Sequence, residues 1–414
     1  MEKPWLAATL PVLQLATMSV EAVRTAVIDA GGTGPLTAAP LEPERLAASF
    51  GSDRLFRDDG EPAEGFAPLS GFFEAGDGWV RTHANYPHHA QRLAALLDLA
   101  DPDRATLAAA LGRRSAADLE DAAARRGAVL VRVRDETEWR TSEPGRAADS
   151  GPLIRMQVRE QARPLALPGG PLPLTGVRVL DLTRVLAGPV ATRTLALLGA
   201  DVLRIDPPAL PEITWQHLDT GQGKRSALLD LRADLRAGQR LLDDADVLVT
   251  GYRPSALESL GLQRPEGLVH ARISAWGDGG PWALRRGFDS LVQAASGIAM
   301  IESADGAAPG RLPAQALDHA SGYLLAAGVV DALAARARDG HAREVSVALA
   351  RTATWLLDAP GRAPDHPAAA TPGSTVRHGA RVTAAPALPG VDDYPEPAHD
   401  WGSDAPAWLD QPNG

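Results

Sequence analysis

Residues 176–206 contain a turn that could bind the phosphates of a cofactor. They read GVRVLDLTRVLAGPVATRTLALLGADVLRID, which predicts a strand at Val177–Leu182, a helix with Pro189 in its first turn, and a second strand at Val202–Ile205. In such a β-α-β unit, backbone N–H groups and a helix N-terminus face the carboxyl end of the sheet. The GxGxxG and GxxxxGK[ST] patterns are absent from the sequence, so the usual nucleotide fingerprints are missing.

Asp318 is a second candidate, just before a helix predicted from about Ser321 to Arg338. From the pattern alone, Asp-x-x-Ser before an apolar helix is typical of an N-cap, whose carboxylate accepts a backbone N–H. The helix dipole should hold this carboxyl ionised and provide N–H groups nearby. The residue therefore has a structural and a chemical interpretation.

Three histidines, His83, His88 and His89, lie close together in the sequence THANYPHH. Metal binding is one interpretation, but no carboxylate pairs with them at helical spacing, and adjacent histidines seldom share one ion. We expect His83, together with Trp79 and Tyr86, to pack the inside of a small domain.

The composition of the 414-residue chain excludes several classes of function. A net charge of −11 argues against general nucleic-acid binding, which requires a basic surface. The absence of cysteine rules out disulfides, thiolate metal sites and a cysteine nucleophile. No run of about 18 apolar residues predicts a membrane span. The apolar start of the chain contains Glu2, Lys3 and Pro11 and predicts a packed helix or arm rather than a signal peptide, so we expect a cytoplasmic protein.

The order of predicted elements indicates an α/β fold, with a Rossmann-like, doubly wound parallel sheet and a smaller α/β domain. Further strands of the large sheet are predicted at Ala227–Leu231, Val247–Thr250 and Ala271–Ser274. We divide the chain into an N-terminal helical arm at 1–65, a small α/β domain at 66–165, a large Rossmann-like domain at 172–357 and a Pro/Gly-rich C-terminal arm or tail at 358–414.

The smaller units have their own predicted elements. The arm is expected to contain helices at Val20–Asp29 and Leu46–Phe50. The small domain is expected to contain strands at Gly78–Arg81 and Ala128–Val133 and helices at Ala90–Leu99, Arg104–Leu111 and Ala116–Arg126. The tail has weak periodicity, but Tyr394, Trp401 and Trp408 predict that part of it packs on the rest of the chain.

Seven stretches between residues 174 and 350 occur in a specific order. They read VLDLTRVLAGP, LGADVLRID, GKRSALLDLR, ADVLVTGYRPSALESLGL, ISAWGDGGPWALRRGFDSLVQAASG, ALDHASGYLLAAGVVDALAAR and VSVAL. Together they resemble family III CoA-transferases, the CaiB/BaiF group that includes formyl-CoA transferase, carnitine CoA-transferases and α-methylacyl-CoA racemase.

Two earlier stretches, DGWVRTHANYPHHAQRLAALLDL at 77–99 and SAADLEDAAARRGAVLVRVRDETEW at 115–139, resemble the small domain of the same family. In the family that domain follows the segment with the catalytic aspartate, whereas here it precedes VLDLTRVLAGP. This order indicates a rearranged or circularly permuted chain, or a truncated half-copy joined to a shortened second copy.

The resemblance implies a CoA-transferase whose nucleophile is Asp318. The carboxylate would attack an acyl-CoA thioester to form an acyl-aspartyl anhydride, CoA would then pass to the aspartyl group, and an acceptor acid would finally collect it. A carboxylate suits this role because it needs no general base at neutral pH. The resemblance also implies acyl-CoA and a carboxylic acid as substrates, no metal or redox cofactor, and an interlocked homodimer or a pairing with a related subunit.

CoA binding requires cations for the phosphates and an apolar slot for the adenine. Lys224-Arg225 is the strongest pair, because it stands where the family has an Asn-Lys-Arg motif, although any arginine here can equally be a solvated surface charge. By resemblance, the expected CoA-binding residues are Val185, Leu186, Ala187, Gly188, Pro189, Arg204, Lys224, Arg225, Arg253 and Arg286.

Departures from the family pattern define two alternatives. The family's racemases have a histidine in a Gly-His-Asp motif, but this chain has Gly287-Phe288-Asp289, and phenylalanine cannot move a proton. That change disfavours an acyl-CoA racemase or isomerase. A non-catalytic CoA-binding partner subunit is favoured by the rearranged order and by the lack of a clear counterpart of the family's glycine-rich active-site loop before Asp77.

Overall fold

The computed structural model describes residues 3–162, 165–252 and 260–409. Its N-terminal part is a helical arm packed on the large domain. Leu10 is buried, and Glu302 accepts hydrogen bonds from the backbone N–H groups of Thr9 (3.0 Å) and Leu10 (2.9 Å). The packed arm predicted at the start of the chain is therefore confirmed for the described residues. Its elements are α1 (Val12–Asp29), α2 (Pro35–Ala38), α3 (Pro43–Phe50), α4 (Ser52–Leu55), β1 (Arg57–Asp58) and β2 (Glu61–Pro62).

The next unit is a small antiparallel sheet covered by helices. Its elements are β3 (Gly71–Ala75), β4 (Gly78–Thr82), α5 (Pro87–Leu96), α6 (Arg104–Leu111), α7 (Ala116–Arg126), β5 (Leu130–Arg132), α8 (Glu136–Thr141) and α9 (Glu143–Ala148). Strand β4 lies between β3 and β5, and Phe73, Leu93 and Leu107 are part of a separate core. The predicted bounds of α6 and α7 match the structure, because Asp103 and Ser115 cap their N-termini. Strand β3 was not predicted.

Seven strands form the large sheet. In chain order they are β6 (Arg155–Gln161), β7 (Arg178–Leu182), β8 (Asp201–Asp206), β9 (Lys224–Leu228), β10 (Val247–Thr250), β11 (Val269–Ser274) and β12 (His341–Ala348). Across the sheet the order is β6-β12-β11-β10-β7-β8-β9, and every neighbouring pair is parallel except β6 with β12. Val179, Val247 and Val269 are fully buried on three neighbouring strands, as expected of a sheet covered on both faces. The predicted doubly wound parallel sheet is confirmed.

Helices cover this sheet and a hairpin follows it. The helices are α10 (Ala187–Leu197), α11 (Thr214–Thr220), α12 (Leu235–Asp243), α13 (Asp289–Ala295), α14 (Ile298–Ile301), α15 (Ala316–Asp339) and α16 (Leu349–Asp358), and the hairpin strands are β13 (Thr375–His378) and β14 (Arg381–Ala384). In the described parts of the chain, no helix combines the length and apolar character required to cross a bilayer.

Three of the differences from the predicted bounds affect the large sheet and the helix that contains Asp318. Strand β9 starts at Lys224, three residues before its predicted start, because the backbone turns at Gly223 with φ of +71°. Helix α15 begins at Ala316, so Asp318 lies inside the helix rather than before it. The segment 155–161, which we placed in the small domain, pairs as β6 with β12 of the large sheet. Its seven residues are all exposed and lack the apolar pattern of a buried strand.

The C-terminal segment packs along the large sheet. Tyr394 is buried, the Trp401 indole N–H donates to Asp206 (3.2 Å), and the Trp408 indole N–H donates to the Leu241 carbonyl (3.1 Å). Asp404 forms a parallel β-bridge with Ala227, beside the edge strand β9. The three aromatic side chains singled out in the sequence therefore hold this segment on the domain.

Candidate functional site

A cavity of about 370 Å³ opens at the carboxyl ends of β7, β10 and β11. The chain order of the parallel strands reverses between β7 and β10, and α/β sheets bind ligands in the crevice at such a reversal. The small unit forms one wall with Tyr86, His88 and His89. The large domain lines the rest with Leu182, Arg184, Val185, Ala187, Gly188, Gly251, Tyr252, 273–276, Ala283, 285–288, Asp318 and Leu349.

The turn between β7 and α10 is held in a strained shape at the cavity. Val185 has φ of +71°, a conformation that a β-branched residue rarely adopts. Its backbone N–H donates to the carboxylate of Glu212 (3.1 Å), which stabilises this conformation. At Gly188 an added Cβ would overlap the side chain of Thr183, so only glycine fits there. Val185, Ala187 and Gly188 line the cavity as predicted for the turn, whereas Leu186 and Pro189 do not.

Helix α15 brings Asp318 to the same cavity. Gly322, one turn further along, allows close packing on α10, because an added Cβ there would lie 2.6 Å from the Ala187 carbonyl oxygen. Asp318 is the third residue of the helix and is 7% exposed. Asp318 therefore lines the same cavity as the turn after β7.

A second carboxylate, Asp289, caps helix α15 in place of Asp318. Its Oδ2 accepts hydrogen bonds from the backbone N–H groups of Leu317 (2.8 Å) and Asp318 (3.0 Å), while the Gln293 amide donates to Oδ1. The N-cap position itself belongs to Gln315, whose side chain makes no capping bond. The N-cap interpretation of Asp318 is therefore wrong.

Burial raises the proton affinity of both carboxyl groups. Burial raises the pKa of Asp318 well above its usual value, and the charge of Asp289 raises it further. Burial also raises the pKa of Asp289 to about 6, against the opposing effect of its hydrogen bonds from Asp318 and Gln293. The expectation that the helix dipole holds Asp318 ionised is wrong, because dehydration and a like charge outweigh it. Paired carboxyls of this kind are typical of catalytic sites.

Three arginines line the cavity and provide positive charge. Arg184 lies 3.3 Å from Glu212, Arg286 donates to the Gly127 carbonyl (3.3 Å), and the Arg285 guanidinium lies 4.4 Å from the ring centroid of Trp282. Guanidinium groups suit phosphates because their N–H donors match the phosphate oxygens. Only Arg286 was predicted here. Arg184 comes two residues after the end of the predicted strand, and that position was the signal available in the sequence.

Two predicted CoA-binding cations lie away from the cavity, in buried ion pairs. Arg204 contacts Asp206 (2.7 Å) and Glu212 (3.0 Å), and Lys224 contacts Asp181 (3.2 Å). Arg204 therefore supports the carboxylate that holds Val185 and Arg184.

Arg225 and Arg253 complete the predicted set. Arg225 lies outside the cavity lining, pairs with Asp201 (2.7 Å) and donates to the Ala407 carbonyl of the C-terminal segment (2.6 Å). Arg253 lies outside the described residues, so its predicted role stays a prediction.

The histidines of the small unit contribute more to the cavity than we expected. His88 and His89 line it, and His83 lies behind it with its ring stacked on Phe288 at a centroid distance of 3.7 Å. In the described residues no group of three or more histidine, aspartate or glutamate side chains is arranged to hold a metal ion. The short sequence PHH at the start of α5 was the only signal of this wall.

The comparisons with known proteins concern the large domain. CoA-transferase family III matches residues 174–388, more than half of the chain. A probable fatty acyl-CoA transferase of Mycobacterium tuberculosis is 36% identical over 205 residues, which cover 44% of this chain and 52% of the relative. The alpha subunit of a succinyl-CoA–L-malate CoA-transferase of Chloroflexus aurantiacus is 29% identical over 221 residues, covering 47% and 51%.

Other comparisons have similar coverage. An acetyl-coenzyme A transferase of Hypoxylon pulicicidum is 33% identical over 208 residues, 47% of this chain and 35% of the relative. A crystal structure of the Mycobacterium tuberculosis protein has a TM-score of 0.42 and 36% identity, with 44% of this chain and 56% of the other covered. The chain spans about half the length, or less, of these relatives. The match over residues 174–388 shows that the chain belongs to CoA-transferase family III.

Proposed function

We propose that the protein transfers CoA from an acyl-CoA thioester to a carboxylic acid, with Asp318 as the nucleophile. The observation that carries this proposal is a buried carboxyl group, with a raised pKa, in the wall of a cavity that three arginines also line. Once deprotonated, a dehydrated carboxylate is a stronger nucleophile than one in water, because no hydration shell has to be removed before attack.

In the first proposed step, a carboxylate oxygen of Asp318 bonds to the thioester carbonyl carbon and the C–S bond breaks. CoA leaves as a thiolate, and Asp318 carries the acyl group as a mixed anhydride. The thiolate then attacks the aspartyl carbonyl, which releases the donor acid and leaves CoA on Asp318. The acceptor carboxylate attacks that thioester, its C–S bond breaks, and a second mixed anhydride forms between Asp318 and the acceptor. The released CoA thiolate attacks the acceptor carbonyl of this anhydride, which forms acceptor-CoA and regenerates the Asp318 carboxylate. No resident metal or redox group takes part in these steps.

For CoA binding we propose the turn residues Val185, Ala187 and Gly188 together with Arg286, and we add Arg184 and Arg285. The amide groups at the start of α10 and the positive side chains suit the phosphates of CoA. The apolar rings at the cavity, Tyr252 among them, suit the adenine. The names of the relatives include fatty acyl, acetyl, succinyl and malate groups, and we propose a CoA thioester of an organic acid as the donor.

The experiment that tests this proposal is trapping of the acyl-enzyme. The protein is incubated with a panel of acyl-CoA thioesters, quenched with hydroxylamine and digested, and the peptide that contains residue 318 is measured by mass spectrometry. We expect a hydroxamate at Asp318 in the wild-type protein and none in Asp318→Asn. A wild-type protein that binds acyl-CoA but forms no hydroxamate would overturn the proposal.

A second candidate is a CoA-binding subunit without its own catalytic activity. The lack of a clear counterpart of the family's glycine-rich active-site loop before Asp77 favours it, as does the small unit's position before the large domain in the chain. The trapping experiment distinguishes the two functions, because a binding subunit gives a dissociation constant for acyl-CoA but no adduct.

We further propose a homodimer, or a pairing with a related subunit, in the cytoplasm, where acyl-CoA thioesters are made and used. The rearranged order of the domains remains part of this proposal. Light scattering of the purified chain, alone and with acyl-CoA, measures the assembly. A monomer that is fully active in the trapping experiment would contradict the proposed dimer.

A further inference from the structure

His89 is a buried polar side chain in the cavity wall that the proposed chemistry has not yet used. It is 5% exposed, and in the part of the chain that the structure describes its Nδ1 is shielded from solvent and has no hydrogen-bond partner. A buried ring nitrogen without a partner is unfavourable for folding, and a catalytic role is one explanation for keeping such a group. The residue therefore calls for an explanation beyond packing.

Aromatic neighbours fix the orientation of this ring. The centroid of His88 lies 4.2 Å away, Tyr86 packs edge-on at 5.5 Å with an interplanar angle of 85°, and Phe288 lies at 5.7 Å with an angle of 70°. Tyr86 is held in turn by its hydroxyl, which donates to Glu212 (2.5 Å). The imidazole is thus presented to the cavity in one orientation before any ligand binds.

The imidazole is uncharged at neutral pH. Burial lowers the pKa of His89 to about 3, and the positive charges of His88, Arg286, Arg92 and Arg184 lower it further. A neutral imidazole has one N–H and one bare nitrogen. Because Nδ1 is shielded and has no partner, Nε2 is the nitrogen left to contact a bound molecule, and we assign the proton to it.

Three backbone N–H groups around the cavity are already engaged. The N–H groups of Leu317 and Asp318 both donate to Asp289, and the N–H of Val185 donates to Glu212. When Asp318 attacks a thioester, the carbonyl oxygen becomes negatively charged and requires a hydrogen-bond donor. The start of α15 has its donors directed at Asp289, and the amide groups at the start of α10 are proposed above to bind phosphate, so a side-chain donor from another wall of the cavity would complete the site.

We propose that His89 is that donor, and that its Nε2–H binds the thioester carbonyl oxygen of the acyl-CoA; this inference rests on the function proposed above. As the Asp318 oxygen bonds to the carbonyl carbon, the C=O electron pair moves onto the oxygen and His89 hydrogen-bonds to it without transferring its proton. When the C–S bond breaks, the electron pair returns and CoA leaves as a thiolate. His89 is unchanged at the end of the step.

The test compares acylation rates of Asp318 in quenched-flow trapping with hydroxylamine. His89→Phe keeps the ring and removes the N–H, whereas His89→Gln retains an amide N–H donor. We expect His89→Phe to acylate about 100-fold more slowly than the wild type, the usual effect of removing one oxyanion donor. Its dissociation constant for acyl-CoA should change by less than about threefold, since the bond strengthens mainly in the transition state. His89→Gln should recover part of the rate.

His366→Phe is the matched control, because His366 is a half-buried histidine outside the cavity lining that bonds to the neighbouring Pro367 carbonyl. We expect it to acylate at the wild-type rate. Equal rates for His89→Phe and the wild type would overturn the assignment of His89 and leave the proposed function intact. Absence of any hydroxamate in the wild-type protein would overturn the proposed function itself, so the two failures are distinguishable.

A measurement without any change at His89 guards against a variant that fails to fold. In Asp318→Asn, which cannot be acylated, the infrared carbonyl stretch of a bound ¹³C-labelled acyl-CoA thioester reports hydrogen bonding to its oxygen. We expect this stretch to move to lower frequency on binding. An unshifted stretch would overturn the assignment of His89.

Discussion

Two buried aspartates near the carboxyl end of the large sheet differ in how the protein treats their charge. Asp181 is compensated: Lys224 lies 3.2 Å away, and the hydroxyls of Thr183 (2.5 Å) and Thr192 (2.6 Å) donate to it. Burial alone would raise the pKa of Asp181, but Lys224 and Arg204 outweigh burial and lower it. Asp318 faces another carboxylate instead, and its pKa is raised. A buried carboxylate that is neutralised by a nearby cation is typical of a structural role. A buried carboxyl group without such a cation is typical of a catalytic site.

The largest expected effect comes from removing the uncompensated charge. Asp318→Asn should decrease acylation by about 10⁴-fold or more, because the nucleophile is lost, which corresponds to more than about 5 kcal/mol of activation free energy. It should at the same time increase the free energy of unfolding, since a buried like-charge pair is relieved. Trapping and urea unfolding measure the two effects. A more active or a less stable Asp318→Asn protein would contradict this comparison.

Removing the charge of Asp181, which Lys224 neutralises, should mainly decrease the stability of the protein. Asp181→Asn leaves Lys224 buried without its counter-ion, and we expect the free energy of unfolding to decrease by about 3–5 kcal/mol. Lys224→Met in the same protein should restore part of this stability, because it removes the stranded charge. Urea unfolding of the single and double variants measures the recovery. If Asp181→Asn lost acylation activity while its free energy of unfolding stayed unchanged, Asp181 would have a catalytic role rather than a structural one.

The pH dependence of stability separates the two aspartates further. An aspartate whose pKa is raised by folding binds its proton more tightly in the folded state, so its contribution is complete below about pH 4, the unfolded pKa, and is lost as the pH rises through the folded value. Asp289, with a pKa of about 6, and Asp318 both behave in this way. Between pH 4 and pH 7 the wild type should lose more unfolding free energy than Asp318→Asn, because only the wild type has the carboxyl group at position 318.

Urea unfolding at intervals of half a pH unit checks this difference. Asp219, whose pKa burial also raises to about 6, and the buried histidines are present in both proteins and cancel. If the free energies of unfolding of the wild type and Asp318→Asn changed with pH in parallel, the raised pKa of Asp318 would be contradicted.

The smallest expected effect concerns the turn between β7 and α10, which contains Gly188. Gly188→Ala places a Cβ against Thr183, so the turn must shift, and we expect a loss of about 1–3 kcal/mol in unfolding free energy, together with weaker acyl-CoA binding. Gly279→Ala is the matched control, because an added Cβ at Gly279 meets nothing within 4 Å. Calorimetry with acyl-CoA measures both variants. Equal affinities would show that the turn does not contact the ligand.

The comparison also shows which parts of the structure were predictable. The β-α-β unit at 176–206 was recognised because buried parallel strands and the Gly-Pro turn have strong local signals. Helix α15 was recognised for the same reason, although its start was placed late. An N-cap supplied by a distant side chain, here Asp289, has no signature next to the helix that it caps.

The cavity could be predicted only in part. Arg204 and Lys224 are in buried pairs because their partners, Glu212 and Asp181, come from other elements, and a sequence does not show which cations are already neutralised. His88 and His89 were missed because their role depends on how the small unit docks on the large sheet. Asp318, Arg286 and the turn residues Val185, Ala187 and Gly188 were predicted and do line the cavity.

The C-terminal segment has a consequence for solubility. The edge strands of a sheet have unpaired backbone N–H and C=O groups that can pair with a strand of another molecule. Such edges promote aggregation unless they are covered or charged. Asp404 bridges to β9 on its outer side and accepts the N–H of Ser226 (2.7 Å), so residues around 404 shield that margin. At the opposite margin, β6 has arginines at 155 and 159, and charged side chains deter pairing there. The protein thus protects its two sheet margins by different means, a covering segment on one and charge on the other.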